Sequence, residues 1–207
     1  RTLGFRALSH ESLGFGPEQA AHFGGALATG DFDGDGYTDA AIGARLDPAG
    51  GTTAGGSVTI VYGGGEGLGS GRAPVRFSQD SPGVIGRPEN EDRFGNALAA
   101  GDFNCDPYED LAVGAQGEND AEGHVYIFYG TATGLRATGG VRDMQDFEQD
   151  DTGPDSISED GDGFGYALTA ADFDGNGMAD IVAANSMDNT ISLLYEVGLT
   201  AFAPQIT

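Results

Sequence analysis

The chain of 207 residues contains no Lys and no Trp, and its single cysteine is Cys105. One cysteine excludes an internal disulfide framework. Only nine residues are basic and 33 are acidic, which gives a formal net charge of −24 at pH 7. Because so negative a surface repels phosphate backbones, the composition argues against nucleic-acid binding. No apolar run reaches the roughly 18–20 residues of a membrane helix, so we expect no membrane insertion.

Aromatic residues supply material for a core, with 12 Phe and 7 Tyr in a chain that is 39% hydrophobic. This content argues against disorder in spite of the charge. The isoelectric point near 4.1 suits a secreted, extracellular or cell-surface protein. Since the chain begins at Arg1 without an apolar leader, we expect a processed mature chain or a fragment of a longer one.

An internal repeat is the most informative feature of the sequence. Three segments align, at residues 23–39, 94–110 and 164–180, with offsets of 71 and 70 residues. Seven of the 17 positions are identical in all three copies: Phe, Gly, Ala, Leu, Asp, Phe and a closing Asp. The chain is therefore expected to fold as three copies of one unit.

Each copy predicts four β-strands. An inner strand starts at the Phe-Gly pair, a small and apolar strand follows the closing Asp, and a β-prone strand follows at residues 57–62, 124–129 and 190–195. A more polar outer strand is predicted at residues 75–79, 141–145 and 203–206. Four-stranded units of one period without helical periodicity predict an all-β fold of antiparallel β-propeller blades.

The predicted repeats run approximately over residues 10–79, 80–145 and 146–207 of a single propeller region spanning 1–207. Residues 1–9 resemble the outer strand of an adjoining blade. Because propellers need about four to eight blades to close, three blades form an open arc. We expect either a fragment of a larger propeller or a half-ring completed by self-association, with a homodimer closing a six-bladed ring.

Acidic loops follow the inner strands, and we call them loop 1 (residues 31–39), loop 2 (residues 102–110) and loop 3 (residues 172–180). Oxygen-bearing side chains occupy loop positions 1, 3, 5 and 9, and position 7 can add a backbone carbonyl. The candidate metal ligands are Asp31, Asp33, Asp35, Tyr37 and Asp39 in loop 1; Asp102, Asn104, Asp106, Tyr108 and Asp110 in loop 2; and Asp172, Asp174, Asn176, Met178 and Asp180 in loop 3.

Converging carboxylates need a cation, because two of them 4 Å apart repel by about 4 kcal/mol at an effective dielectric constant near 20. An oxygen-only ligand set favours Ca²⁺, which takes six to eight oxygens, over Mg²⁺. We therefore predict up to three Ca²⁺ sites. In loop 2, Cys105 and Pro107 replace glycines of the other loops. Since proline cannot take a positive φ, the second site is expected to be distorted or weaker.

The repeats resemble the FG-GAP repeats of the integrin α-subunit propeller and its bacterial relatives. The opening pairs are Phe23-Gly24, Phe94-Gly95 and Phe164-Gly165, and the Gly-Ala-Pro element appears in altered form as Gly43-Ala44-Arg45, Gly114-Ala115-Gln116 and Ala184-Asn185-Ser186. The resemblance implies a seven-bladed parent architecture, calcium sites on blade hairpins, an extracellular setting and a role in binding or adhesion. Three repeats fall short of that blade number.

No catalytic motif accompanies the loops: the sequence lacks the nucleophile elbow, the zincin motif and phosphate-binding loops. The histidines, His10, His22 and His124, are scattered. Residues 143–162 carry nine acidic residues and no basic one, which indicates a solvated inter-blade loop or a docking face for a basic partner.

Three functions remain open from the sequence. The leading prediction is a non-enzymatic, calcium-binding extracellular module that binds a protein or glycan ligand. The second is an accessory propeller of a secreted hydrolase or polysaccharide lyase, or such an enzyme itself. The third is a self-assembling structural half-propeller.

Overall fold

A computed structural model describes residues 7–15, 21–138, 144–152, 159–196 and 202–204. These residues form three antiparallel sheets of four strands each, and in every sheet the strands lie side by side in chain order. Blade 1 contains β1 (Ala26–Gly30), β2 (Asp39–Ala44), β3 (Ser57–Val61) and β4 (Val75–Phe77). Blade 2 contains β5 (Ala97–Gly101), β6 (Asp110–Ala115), β7 (His124–Phe128) and β8 (Gln145–Phe147). Blade 3 contains β9 (Phe164–Ala171), β10 (Asp180–Asn185), β11 (Thr190–Glu196) and β12 (Phe202–Pro204). The predicted all-β fold of four-stranded blades is confirmed.

Within the described segments, helical turns occur before the first strand and in the connections between strands. They are three 3-10 turns, Glu11–Leu13, Ala49–Gly51 and Gln149–Thr152, and one four-residue α-helix, α1 (Glu118–Ala121). Throughout the described ranges, none of these helices has the length and apolar character needed to cross a membrane.

Strand boundaries differ from the sequence prediction at the outer strand of blade 2 and at the inner strands of blades 1 and 2. In blade 2 the outer strand is Gln145–Phe147, paired with β7, rather than residues 141–145, of which 141–143 lie outside the described residues. In blades 1 and 2 the Phe-Gly pair precedes the inner strand instead of starting it, because the Gly24 and Gly95 amides turn to donate to the carbonyls of Gly43 and Gly114. Only in blade 3 does the inner strand begin at the Phe.

The core lies between neighbouring sheets. The second and third strands of blades 1 and 2 are buried along their whole length. Phe94 of blade 2 packs against Tyr126 and Phe128 at ring-centroid distances of 5.3 and 6.2 Å, and Phe128 reaches across to Phe77 of blade 1 at 5.0 Å. The apolar central strands therefore pack blade on blade, as the sequence predicted.

We call the face of a blade that packs on the next blade in the chain its forward face. The forward face of blade 3 is exposed. Phe32 and Phe103 occupy equivalent positions in blades 1 and 2, and both are 0% exposed. Their counterpart in blade 3, Phe173, is 51% exposed. The three sheets thus form an open series and not a closed ring.

Most of the outer strand predicted for residues 1–9 lies outside the described residues. Residues 1–6 are not described, and residues 7–9 form no strand. Leu8 and Leu13 instead pack against a small cluster on the other side of blade 1, formed by Ala40, Ile42 and Val61.

Candidate metal loops

Each acidic loop joins the first and second strands of its blade. The strand register pairs Gly30 with Asp39 and Gly101 with Asp110, and it pairs Ala171 with Asp180 in blade 3. The residue at loop position 9 is therefore the first residue of the second strand, directly opposite the last residue of the inner strand. This register closes each loop at its base and directs the remaining acidic residues into one tight turn.

The first Asp of each loop is surrounded by backbone amides. Asp31 accepts hydrogen bonds from the Asp35 amide at 3.1 Å and the Gly36 amide at 2.9 Å. Asp172 repeats both bonds with the amides of loop positions 5 and 6, at 3.1 and 3.0 Å. Loops 1 and 3 consequently share one backbone conformation, with glycine at positive φ in both required places.

Loop 2 keeps most of this arrangement despite its substitutions. Cys105 adopts the left-handed conformation of its glycine counterparts, with a φ of 62°, and its amide donates to Asp102 at 2.7 Å. Pro107 has no N–H, so the bond that Gly36 makes to the first Asp cannot form here. Loop 2 therefore differs from the other loops in two ways: it lacks the hydrogen bond from position 6, and a non-glycine residue, Cys105, has a positive φ.

The side chain at position 5 fixes the backbone at position 7. Asp35 accepts a hydrogen bond from the Tyr37 amide at 2.9 Å, and Asp106 accepts one from the Tyr108 amide at 2.9 Å. In loop 3 the Met178 amide donates to Asn176 at 2.7 Å. Metal ligation by the carbonyls at position 7 stays a prediction.

Positions 1, 3 and 9 converge in two of the loops. Asp31, Asp33 and Asp39 each offer a ligand oxygen within 4.8 Å of the others, and Asp172, Asp174 and Asp180 do the same. In loop 2 position 3 is Asn104, whose side-chain oxygen is buried and accepts no hydrogen bond within the described part of the chain. In loop 3, Asp180 Oδ1 is also buried and accepts no hydrogen bond from the described residues. Hard, unpartnered oxygens in an anionic turn fit a Ca²⁺ ion.

The closing Asp also has a structural role. Asp39 accepts hydrogen bonds from the Phe32 amide at 2.9 Å and the Gly63 amide at 2.8 Å, which ties the loop to the end of the third strand. Asp110 makes the same two bonds, to the amides of Phe103 and Gly130. Burial raises the pKa of Asp39 to about 6 and that of Asp110 to about 8. A nearby cation would offset this cost of burying the charged form.

Sequence reasoning missed Arg72, which lies beside loop 1. Its Nε is 3.3 Å from Asp33 Oδ2, and its guanidinium sits 5.3 Å from the centre of the Tyr62 ring. The Arg and the Asp are far apart in sequence, so no local pattern could have paired them.

Neighbouring loops also touch each other. The Tyr108 ring of loop 2 lies so close over Gly34 of loop 1 that a Cβ there would come 2.6 Å from Cε1. The Glu109 amide donates to the Asp31 carbonyl at 3.1 Å, and the Ala179 amide donates to the Asp102 carbonyl at 2.8 Å. Burial and the charges of Asp102 and Asp31 raise the pKa of Glu109. Loops 1 and 2 are thus each braced by the loop of the next blade.

The histidines and the acidic segment do not join the loops. His10 packs on Phe23 at a centroid distance of 4.5 Å, and His22 lies beside Arg45. In residues 143–162, Asp143 and Asp155 lie outside the described residues. Asp151 and Asp162 accept hydrogen bonds from the amides of Glu148 and Glu159, which is the behaviour of acidic turn residues.

Comparison with known proteins agrees with this geometry. The FG-GAP repeat family model matches residues 23–61, 94–128 and 164–196, which together make about half of the chain. Integrin alpha-V of Gallus gallus is 36% identical over 184 residues, covering 85% of this chain and 16% of that protein. Phosphatidylinositol-glycan-specific phospholipase D of Rattus norvegicus is 32% identical over 169 residues, covering 80% and 18%.

A third relative extends over almost the full chain: integrin alpha-6 of Gallus gallus is 30% identical over 206 residues, covering 98% of this chain and 17% of that protein. The chain spans less than a fifth of the length of these relatives. The matched segments cover the first three strands of each blade and include all three acidic loops. The chain therefore belongs to the FG-GAP repeat family, as an integrin-like β-propeller segment of three blades.

Proposed function

We propose that the chain is a calcium-binding extracellular module that binds a protein or glycan ligand and performs no catalysis. The observation that carries the proposal is the convergence of three carboxylates in loop 1 and again in loop 3, with oxygens within 4.8 Å of one another. A bound cation offsets the repulsion between carboxylates held this close together in a turn. Ca²⁺ matches the oxygen-only donor set.

The three loops differ in expected affinity. Loop 3 has three clustered carboxylates and a buried oxygen without a hydrogen-bond partner among the described residues. Loop 1 has the same cluster, but Arg72 already compensates part of the Asp33 charge. Loop 2 has an amide in place of one carboxylate and lacks one loop hydrogen bond. We therefore expect loop 3 to bind Ca²⁺ most tightly and loop 2 most weakly.

Thermal unfolding in EDTA and in Ca²⁺ tests the proposal. A site filled to 100 times its Kd adds about 2.7 kcal/mol to the free energy of unfolding. For a chain of this size, that corresponds to a rise in Tm of roughly 5–10 °C per filled site. Equal ionic strength from NaCl, and the same concentration of Mg²⁺, are the controls. A melting temperature that is the same in EDTA and in Ca²⁺ would refute the calcium proposal.

A second candidate is an accessory propeller of a secreted hydrolase, and the similarity to a phospholipase D favours it. The sequence of the complete polypeptide distinguishes the two candidates, because a neighbouring catalytic domain supports the second. Hydrolysis of an ester or polysaccharide by the three blades alone would overturn the non-catalytic proposal.

The open face of blade 3 supports a structural role by self-association. Sedimentation velocity at micromolar concentration tests it: a dimer supports a ring of two half-propellers, and a monomer rejects that ring.

A further inference from the structure

A second group of polar residues recurs in the blades, at the end of each sheet opposite the acidic loops. Its members on and before the third strand are buried in blades 1 and 2 and exposed in blade 3. Its acidic member lies eight residues after the closing Asp, as Asp47, Glu118 and Asp188. A second member is the first residue of the third strand and pairs with the last residue of the second strand, as Ser57, His124 and Thr190 do. The third member lies on the outer strand, and Arg76 and Asp146 hold it in blades 1 and 2.

In blade 1 this group contains a permanent cation. Asp47 is buried and accepts hydrogen bonds from the Ser57 hydroxyl and from two nitrogens of Arg76, one of them Nε at 2.9 Å. Because an arginine keeps its charge at all physiological pH values, the outer strand of blade 1 is attached to the acid independently of pH.

In blade 2 the basic residue of this group occupies a different position. The outer-strand position holds Asp146, and the strand-start position holds His124, so the only cation this set can supply is a protonated imidazole. His124 is buried, with Nδ1 3.8 Å from Asp146 Oδ2 and Nε2 3.6 Å from Glu148 Oε1. Both acidic residues follow β7 in the chain and belong to or flank the outer strand β8.

Acidic groups from other elements surround the same place. Glu118 of α1 is buried and accepts a hydrogen bond from Gln79, which also contacts the Tyr126 hydroxyl at 3.2 Å. Asp92 of the inter-blade segment is fully buried and interacts electrostatically with both Glu118 and His124. Glu89 of the same segment interacts with Glu118.

Two neighbours of the imidazole are uncharged at neutral pH. The Tyr126 ring stacks on His124 at 5.9 Å. The side-chain amide of Asn119 lies 3.0 Å from Nε2, and it presents its oxygen to a protonated ring or its nitrogen to a neutral one.

We propose that His124 is an acid-strengthened clasp of blade 2: its protonated ring holds β8 and the inter-blade carboxyl groups together, and its deprotonation loosens this outer strand. The proposal rests on the different placement of the basic residue in two equivalent blades: Arg76 on the outer strand of blade 1, and His124 at the start of the third strand of blade 2, where the outer strand carries Asp146. The direction of titration agrees with it. Burial by itself would lower the pKa of His124, but the charges of Asp146, Glu118 and Glu148 outweigh burial and raise it.

The buried carboxyl groups of the cluster also favour acidic pH, but by losing their own charge and not through the ion pairs of His124 with Asp146 and Glu148. Burial raises the pKa of Glu118 to about 7 and that of Asp92 to about 6. All three groups therefore bind protons more readily in the folded chain than in the unfolded one. Their contribution to stability is complete below the unfolded pKa values and is lost as the pH rises through the folded values.

The test replaces the cluster of blade 2 with the arrangement of blade 1. Thermal unfolding is followed from pH 5 to pH 8 in EDTA for the wild type and for the double variant His124→Ser plus Asp146→Arg. The acidic loops are identical in both proteins, so their own pH dependence cancels in the difference. Between pH 5 and pH 8 we expect the melting temperature of the wild type to fall by about 5 °C more than that of the variant. Parallel profiles would overturn the proposal.

Two further measurements keep the proposal testable should the double variant fold poorly. His22→Asn changes an exposed histidine and is expected to leave the wild-type profile unaltered. The NMR titration of the His124 ring, assigned by its absence in His124→Ser, should give a midpoint above the usual value of about 6.5. A midpoint below that value would show that His124 is neutral when blade 2 is closed, which contradicts the clasp.

Discussion

Phe103→Ala should lower the free energy of unfolding by about 3–5 kcal/mol, the usual cost of emptying a fully buried Phe site. The side chain is 0% exposed and belongs to the core between blades 2 and 3, together with Ile127 and Phe164. Its removal leaves a cavity that two sheets line and neither can fill alone. Chemical unfolding in Ca²⁺ measures the change, and the expected loss corresponds to roughly 10 °C in Tm.

Phe173→Ala is the matched control, because it makes the same substitution at the equivalent position of blade 3. Phe173 is 51% exposed, so we expect a loss of only about 1 kcal/mol. Equal losses in the two variants would mean that the forward face of blade 3 is covered in solution. In that case the loss in Phe173→Ala should depend on protein concentration.

Asp110→Ala should destabilise the chain even when no calcium is present. The Asp110 carboxyl accepts hydrogen bonds from two buried backbone amides, those of Phe103 and Gly130. Each buried donor left without an acceptor costs about 1–3 kcal/mol, so the expected loss for the two amides is about 2–6 kcal/mol. Urea unfolding in EDTA at pH 7 provides the measurement.

Asp106→Ala separates this role from the effect of charge. It removes one carboxylate from the same loop, but Asp106 is only partly buried and accepts one amide hydrogen bond, from Tyr108. We expect its cost in EDTA to stay below about 1 kcal/mol. If Asp110→Ala is no more harmful than Asp106→Ala in EDTA, the closing Asp has no structural role beyond metal binding.

The architecture could be predicted because the pattern of one blade occurs three times in the sequence. The Phe-Gly pair and the closing Asp keep constant spacing in all copies, so their alignment fixes the blade count and places the loops between the first two strands. The central strands were clear for a second reason: they are rich in β-branched and aromatic residues, as Ser57–Val61 and His124–Phe128 illustrate, and in blades 1 and 2 they are buried along their whole length.

The outer strands were harder to place because each has only three residues in the structure, too few for a clear hydrophobic pattern. Gln145–Phe147 lies later than predicted, and its position is set by pairing with β7 and not by its own sequence. The ion pair of Arg72 with Asp33 could not be predicted for a related reason, since it joins the outer part of a blade to its inner hairpin. The group around His124 requires the strand register before its members can be aligned.

Calorimetric titration of the metal-free chain with Ca²⁺ tests whether the acidic loops bind calcium. We expect two tighter sites and one weaker site per chain. The variant Asp172→Asn should remove one of the tighter sites, and adding Asp31→Asn should remove the other. Absence of binding heat, or a binding curve unchanged by both substitutions, would contradict the assignment of the acidic loops as calcium sites.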